Sequence, residues 1–240
     1  MACAWGNDMT SRGLICVSVA AADAAAVQSA VAPVLELVDV IEMRLDGMAD
    51  PRIDACVATL HTPILVTNRP HWEGGQWQAS EQKRVDLLCQ ALRAGARYVD
   101  IELHSAPVLR QQVIDEAAKV GAQVIISNHD FTTTPTSDHL RHTLEQMQTS
   151  GADIGKIVTT ATGPGDCLRI LALQEQAMAA GFPLCAFAMG AAGAISRLAT
   201  LYLGGFMSYA ALSPQAATAT GQLSVQEMYA MLPILERCNG

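Results

Sequence analysis

The chain is expected to fold as a single (β/α)8 TIM barrel with parallel strands, spanning residues 1–240 with a short N-terminal tail over 1–12. Three observations predict this. Eight short runs rich in Val, Ile and aromatic residues alternate with segments of helical periodicity. Glycines at 121, 151 and 181 close helical segments just before the next run, which is the punctuation an αβ loop requires. And 240 residues lie close to the about 250 typical of such a barrel.

"LICVSVA" (14–20) opens the series, followed by "VIEMRLD" (40–46) and "PILVTNR" (63–69). "YVDIEL" (98–103), "QVIISNHD" (123–130) and "IGKIVTTA" (154–161) form the middle, and "PLCAFAM" (183–189) and "FMSYAAL" (206–212) close it. Between the third and fourth, residues 80–95 read as a helix with Val85, Leu88 and Leu92 on one face, Ser80 as N-cap and Gly95 as C-cap. Residues 137–151 read as another, opening on Ser137 and closing on Gly151. Gly204-Gly205 reads as a tight helix-to-strand turn rather than a phosphate cradle. A doubly wound open sheet is the competing architecture; its dinucleotide form would want G-x-G-x-x-G after an early strand, and none follows the first run.

Composition narrows the function. Half the residues are apolar and 16% are charged, which implies a large core. A net charge of −8 with no basic stripe argues against nucleic acid as a partner. No apolar run is long enough to span a bilayer, so no membrane partner is expected. The start "MACAWGNDMTSRG" lacks the basic and apolar regions of a secretory signal. Seven scattered cysteines form neither C-x-x-C pairs nor metal-ligand spacing, and suggest reduced thiols in a cytoplasm. No His–carboxylate set has zinc spacing, so no metal is expected.

In such a barrel chemistry sits at the C-terminal ends of the strands. There the chain places Glu42, Arg44 and Asp46, at a spacing that would point all three to one face, then Arg69 and Glu73. Asp100 and Glu102 follow, then His129 with Asp130, Lys156, and Met189 with Ser196-Arg197 beyond. Buried charges are costly and need partners, so this collection reads as chemistry rather than stability. Lys156 is the focus: it is one of three lysines and lies inside a β-branched run. Desolvation would favour its neutral amine, a nucleophile towards carbonyls. Taken alone, Lys156 also fits a strand-end lysine reaching the surface, Glu42 and Arg44 fit a structural pair, and His129 fits a satisfied loop histidine. His61, His71, His104, His139 and His142 read as surface residues, and Asp46 as a group that orients a neighbour or caps a loop.

Six motifs together resemble the type I 3-dehydroquinate dehydratase family. They are "EMRLD" (42–46), "TNRPHWEGG" (67–75), "SNHDF" with a following "TP" (127–135), "GADIGKI" (151–157), "FAMGAAGAISRL" (187–198) and "TATGQL" (218–223). The resemblance implies dehydration of 3-dehydroquinate to 3-dehydroshikimate in the shikimate pathway. It implies Lys156 as the imine-forming residue, His129 as general base and acid, and Glu73 or Glu42 as a group that positions others. It implies Arg197 on the substrate carboxylate. Glu42, Arg44, Arg69, Thr218 and Gln222 would contact substrate, with Met189 and Tyr209 lining the pocket. It also implies a homodimer that needs no cofactor and no metal. Arg44 and Arg69 would then help keep Lys156 uncharged by like-charge repulsion. The chain departs from the family pattern at Phe187, at "GAA" (190–192) and at "TATGQ" (218–222), on pocket wall and lid. A class I aldolase-type barrel would share Lys156 but would want phosphate loops after strands 7 and 8. A catalytically silent barrel that binds small acids is the other alternative.

Overall fold

The structure, a computed structural model, describes residues 12–51, 53–217 and 219–236; most of the N-terminal tail and Thr218 therefore lie outside the described residues. The described residues form eight parallel strands: β1 (Leu14–Val19), β2 (Val40–Arg44), β3 (Ile64–Thr67), β4 (Tyr98–Glu102), β5 (Gln123–His129), β6 (Ile154–Thr160), β7 (Leu184–Met189) and β8 (Met207–Ala211). Each is a core segment of the run expected from sequence. The strands pair in the order β7-β6-β5-β4-β3-β2-β1-β8. Closure between β7 and β8 is lighter than the ladders elsewhere, with Phe206 N donating to Leu184 O at 2.8 Å. The result is a nearly closed (β/α)8 barrel.

Nine α-helices wrap the described barrel: α1 (Ala24–Val31), α2 (Asp54–Thr59), α3 (Glu81–Arg93), α4 (Pro107–Val120), α5 (Ser137–Gln148), α6 (Pro164–Leu171), α7 (Leu173–Ala179), α8 (Ala194–Tyr202) and α9 (Val225–Glu236). Ser80 caps α3 as its spacing predicted, accepting from Lys83 N. The α5 cap sits one residue earlier than expected: the Thr136 side chain accepts from His139 N, so Ser137 is already helical. Gly121 ends α4 in the left-handed conformation. No helix among the described residues is long and apolar enough to cross a membrane.

Two apolar layers hold the molecule together. One lies between sheet and helices, with Ile15, Val17, Ile41, Met43, Val66, Val99 and Ile101 facing Val27, Val85, Leu88 and Leu92. The other fills the barrel interior, from Val40, Leu65, Tyr98, Ile125, Ile154 and Met207 up to Phe187 and Tyr209. Side chains alternate along each strand, so the next interior positions towards the C-terminal ends are Glu42, Thr67, Asp100, Ser127 and Lys156. The interior thus changes from apolar to charged along the barrel axis, and the charged end is where a site can form.

Candidate active site

At that end lies a cavity whose surrounding space, open mouth included, is about 630 Å³. Glu42, Arg44, Arg69, Glu73, His129, Lys156, Met189, Arg197, Tyr209 and Gln222 all line it. Every described residue to which the family resemblance gives a role therefore lines one cavity; Thr218 falls outside the described residues, and Asp46, Asp100, Glu102, Asp130 and Ser196, also read at strand ends, are not in the lining.

Lys156 rises from the middle of β6 and is 4% exposed. Its Nζ lies 3.1 Å from Asp100 Oδ2, 3.8 Å from Glu42 Oε1 and 4.0 Å from the centre of the Tyr209 ring. Its closest charged contacts are two carboxylates, and Arg69 shares Asp100 Oδ2 with it, Nη2 lying 2.9 Å from that oxygen, so a carboxylate stands between the lysine and its neighbouring arginine. Glu42 is not paired with Arg44. Its oxygens accept from Ser18 Oγ at 2.5 Å and Thr67 Oγ1 at 2.8 Å, which fixes the carboxylate beside the amine.

Arg44 turns instead to Asp46 in a two-pronged contact at 2.9 and 2.8 Å. The strand has ended by then, and Leu45–Gly47 form a 3-10 turn. Asp46 therefore does not share the strand face of Glu42 and Arg44, as the spacing alone suggested. It accepts from Arg69 N and Gln76 N at 3.1 Å each, tying the β2 end to the loop after β3. Burial pushes its carboxyl up, but Arg44 and these amides hold it below the usual range.

That loop delivers Glu73. It passes through a 3-10 turn, His71–Glu73, and reverses at Gly74 with φ 76°. A Cβ at Gly75 would collide with the Arg69 backbone, so only glycine lets the loop return this closely. Arg69, just past β3, points inward and binds Glu102 Oε1 at 2.6 Å, Asp100 Oδ2 at 2.9 Å, Ser127 Oγ at 2.7 Å and Glu73 Oε2 at 3.5 Å. Burial opposes its charge, and the three carboxylates more than offset that, so its pKa is raised.

His129 ends β5. Its Nδ1 lies 2.9 Å from Glu73 Oε2, and its ring stacks on Phe131 at 5.8 Å between centroids. Burial, then Arg69 and Lys156, push the imidazole well below its usual 6.5. Burial raises Glu73 to about 8 against the pull of Arg69, with Glu102 and Asp100 adding to the rise. Near neutrality the imidazole is therefore uncharged and the Glu73 carboxyl is largely protonated.

Arg197 on α8 is 2% exposed, and its guanidinium sits 4.8 Å above the Phe187 ring. Among the described residues no carboxylate pairs with it, Nε has no hydrogen-bond partner, and burial lowers its pKa to about 10. A buried cation left this way is costly, and its planar fork matches the geometry of a carboxylate. Tyr209 completes the floor, with its hydroxyl buried and pushed well above 10 by burial. Gln222 arrives on a turn anchored where Gly190 N donates to Thr220 O at 2.9 Å.

The five histidines expected at the surface are all exposed. Asp100 and Glu102 stood at the right strand end but received no role from sequence, although their i, i+2 spacing on β4 was the available signal. Thr67, Ser127 and Phe131 stand within the motifs that carry the resemblance but received no role there, and Ser18 stands outside them. Among the described residues no group of three or more His, Cys, Asp or Glu could hold a metal ion.

Comparison with known proteins agrees with this geometry. A family model described as type I 3-dehydroquinase matches residues 15–238. The 3-dehydroquinate dehydratase of Desulfotalea psychrophila is 45% identical over 190 residues, covering 79% of this chain and 84% of that protein. Its counterpart from Pyrococcus abyssi is 38% identical, covering 82% and 87%. The solved type I 3-dehydroquinate dehydratase of Clostridium difficile, bearing covalently modified comenic acid, superposes with a TM-score of 0.84 at 28% identity, over 95% of this chain and 93% of that one. A 3-hexulose-6-phosphate synthase superposes at 0.61 with 16% identity over 90% and 98%, which shows the shared barrel alone. With the match running through nearly the whole barrel, this chain belongs to the type I 3-dehydroquinase family.

Proposed function

We propose that this chain dehydrates 3-dehydroquinate through a Schiff base on Lys156. The observation that carries the reading is a buried lysine and a buried, carboxylate-free arginine facing one cavity with a depressed histidine beside them. A cyclic keto acid carries the two matching groups, a ketone for Lys156 and a carboxylate for Arg197. Type I relatives bear the dehydratase name, and one was solved with a covalently modified ligand, which fits a site built for adducts.

The chemistry follows from the parts. Lys156, once it has given up its proton, attacks the ketone carbon, and water leaves to form the imine. The protonated imine draws electrons more strongly than a ketone, which acidifies the adjacent carbon. His129 takes that α-proton on Nε2 while Nδ1 is held by Glu73. The same proton then goes to the departing β-hydroxyl, which leaves as water. Hydrolysis of the remaining imine releases the conjugated enone and frees the amine. Arg197 grips the carboxylate and fixes the ring over Lys156, and orientation supplies part of the rate. Asp100 and Glu42 stand within 4 Å of Nζ, where they can stabilise a cationic imine.

The reading is tested by mixing enzyme with 3-dehydroquinate and borohydride. Activity should be lost, and a reduced adduct should appear on the peptide carrying Lys156. Full activity with an unmodified mass spectrum would overturn it. His129→Ala should still trap the adduct but turn over about 10²–10⁴-fold more slowly; turnover near the parent level removes His129 from the role of base. The histidine is held well below 6.5, so it stays unprotonated as pH falls to that value. The acid limb of kcat/KM should therefore lie below 6.5, and a midpoint above it would contradict the assignment. The same reading carries the homodimer implied by the family and a cytoplasmic setting, for which the buried free thiols of Cys16, Cys56, Cys89, Cys167 and Cys185 are suited. A sedimentation mass of one chain would refute the former, and recovery of the protein from an oxidising compartment the latter.

A further inference from the structure

Arg84 is fully buried although it stands on α3, outside the cylinder of strands. It reaches through towards the end of β4. Its Nη1 lies 2.6 Å from Glu102 Oε2, and its Nη2 binds Ser105 Oγ at 2.9 Å and Glu81 Oε2 at 2.8 Å. The other oxygen of Glu102 is the one bound by Arg69 at 2.6 Å. A continuous file of charge therefore runs from Lys156 through Asp100, Arg69 and Glu102 to Arg84, and ends at the partly exposed Glu81.

Stability alone does not call for this arrangement, since a buried ion pair is often matched or bettered by apolar side chains of the same volume. Resting on the dehydratase reading above, we propose that Arg84 is a positioning residue for the His129–Glu73 proton pair, anchoring the Glu102 carboxylate from behind the barrel wall so that Arg69 stays aimed at Asp100 and Glu73. Arg84 touches neither the cavity nor a substrate placed in it. Its effect is relayed.

The relay has a direction. Burial already raises Glu102, and Arg69 and Arg84 are the cations that oppose the rise. Without Arg84 the buried carboxylate keeps Arg69 and the Ser105 hydroxyl but loses its second cation, which pushes it further towards the protonated form. Glu73 faces Arg69 and His129 directly, with Glu102, Asp100 and Lys156 acting on it from further away. Loss of the Glu102 charge removes one of the two carboxylates that resist its ionisation, so Glu73 ionises at lower pH. His129, faced by Glu73, Phe131, Arg69, Lys156, Asp100 and Arg44, then has a carboxylate at 2.9 Å that favours the imidazolium.

The test is the pH dependence of kcat/KM for 3-dehydroquinate in three variants. Arg84→Met should move the acid midpoint up by roughly one pH unit. Arg84→Lys keeps the cation and should return the midpoint towards the parent value. Arg84→Met combined with Glu102→Gln strands no charge and should share the shifted midpoint. That double variant decides the matter if Arg84→Met alone does not fold. A folded single or double variant with the parent midpoint, whatever its melting temperature, overturns the proposal. Failure of the dehydratase reading would show separately, as a parent enzyme that forms no enone.

Discussion

Replacing Lys156 with alanine should lower turnover on the order of 10⁵-fold or more, the scale on which removal of a covalent nucleophile acts, and leave the barrel folded. The loss is large because nothing else in the cavity can form an imine: the remaining cations, Arg44, Arg69 and Arg197, are guanidiniums that stay protonated. The fold should survive because neither carboxylate beside the lysine is stranded by its removal. Asp100 keeps Arg69 and Ser127, and Glu42 keeps Ser18 and Thr67. Steady-state kinetics together with a thermal melt check both halves. Activity within tenfold of the parent would remove the lysine from the reaction, and a collapsed melt would show that its pairing is structural.

Arg69→Met should be the most destabilising single change in the site, costing about 3–5 kcal/mol, as breaking a buried ion pair does. Three carboxylates lose their shared cation at once, and two of them, Asp100 and Glu102, are fully buried. Denaturant unfolding at neutral pH measures it, and a midpoint equal to the parent's would refute it. The pH dependence adds a second check. Burial raises Asp100, but Arg69 and Lys156 hold its carboxyl well below the usual range. A depressed carboxyl contributes stability that is present above its unfolded pKa of about 3.9 and is lost as pH falls through the folded value. The part of the parent's advantage that comes from Asp100 should therefore shrink below about pH 4. An advantage that widens there would mean another group sets the difference.

Much of the barrel was legible because its signals are local. Strand runs declare themselves by β-branched content over a few residues, and helix ends by Ser80, Gly121 and similar caps. The misreadings are also local. Period-two counting puts Asp46 on a strand face because it does not show where a strand stops, and β2 stops at Arg44. Spacing does not separate Ser137 from Thr136 as the α5 cap, since both carry a capping oxygen, and the fold uses Thr136.

The site divides in the same way. Which residue types would meet at the mouth of the cylinder was written in the chain, since strand order and side-chain alternation bring 42, 69, 129 and 156 to one end whatever the details of packing. What each of them touches was decided only by the folded structure. Lys156 contacts Asp100 and Glu42 and shares Asp100 with Arg69, Glu42 bonds to hydroxyls while Arg44 pairs with Asp46, and Arg84 reaches in from a helix to share a carboxylate with Arg69. Pairing between charges depends on distances of a few ångströms across strands far apart in sequence, and on how much water burial removes. Neither quantity is encoded in spacing along the chain, so the cast of residues could be read from the sequence and their partnerships could not.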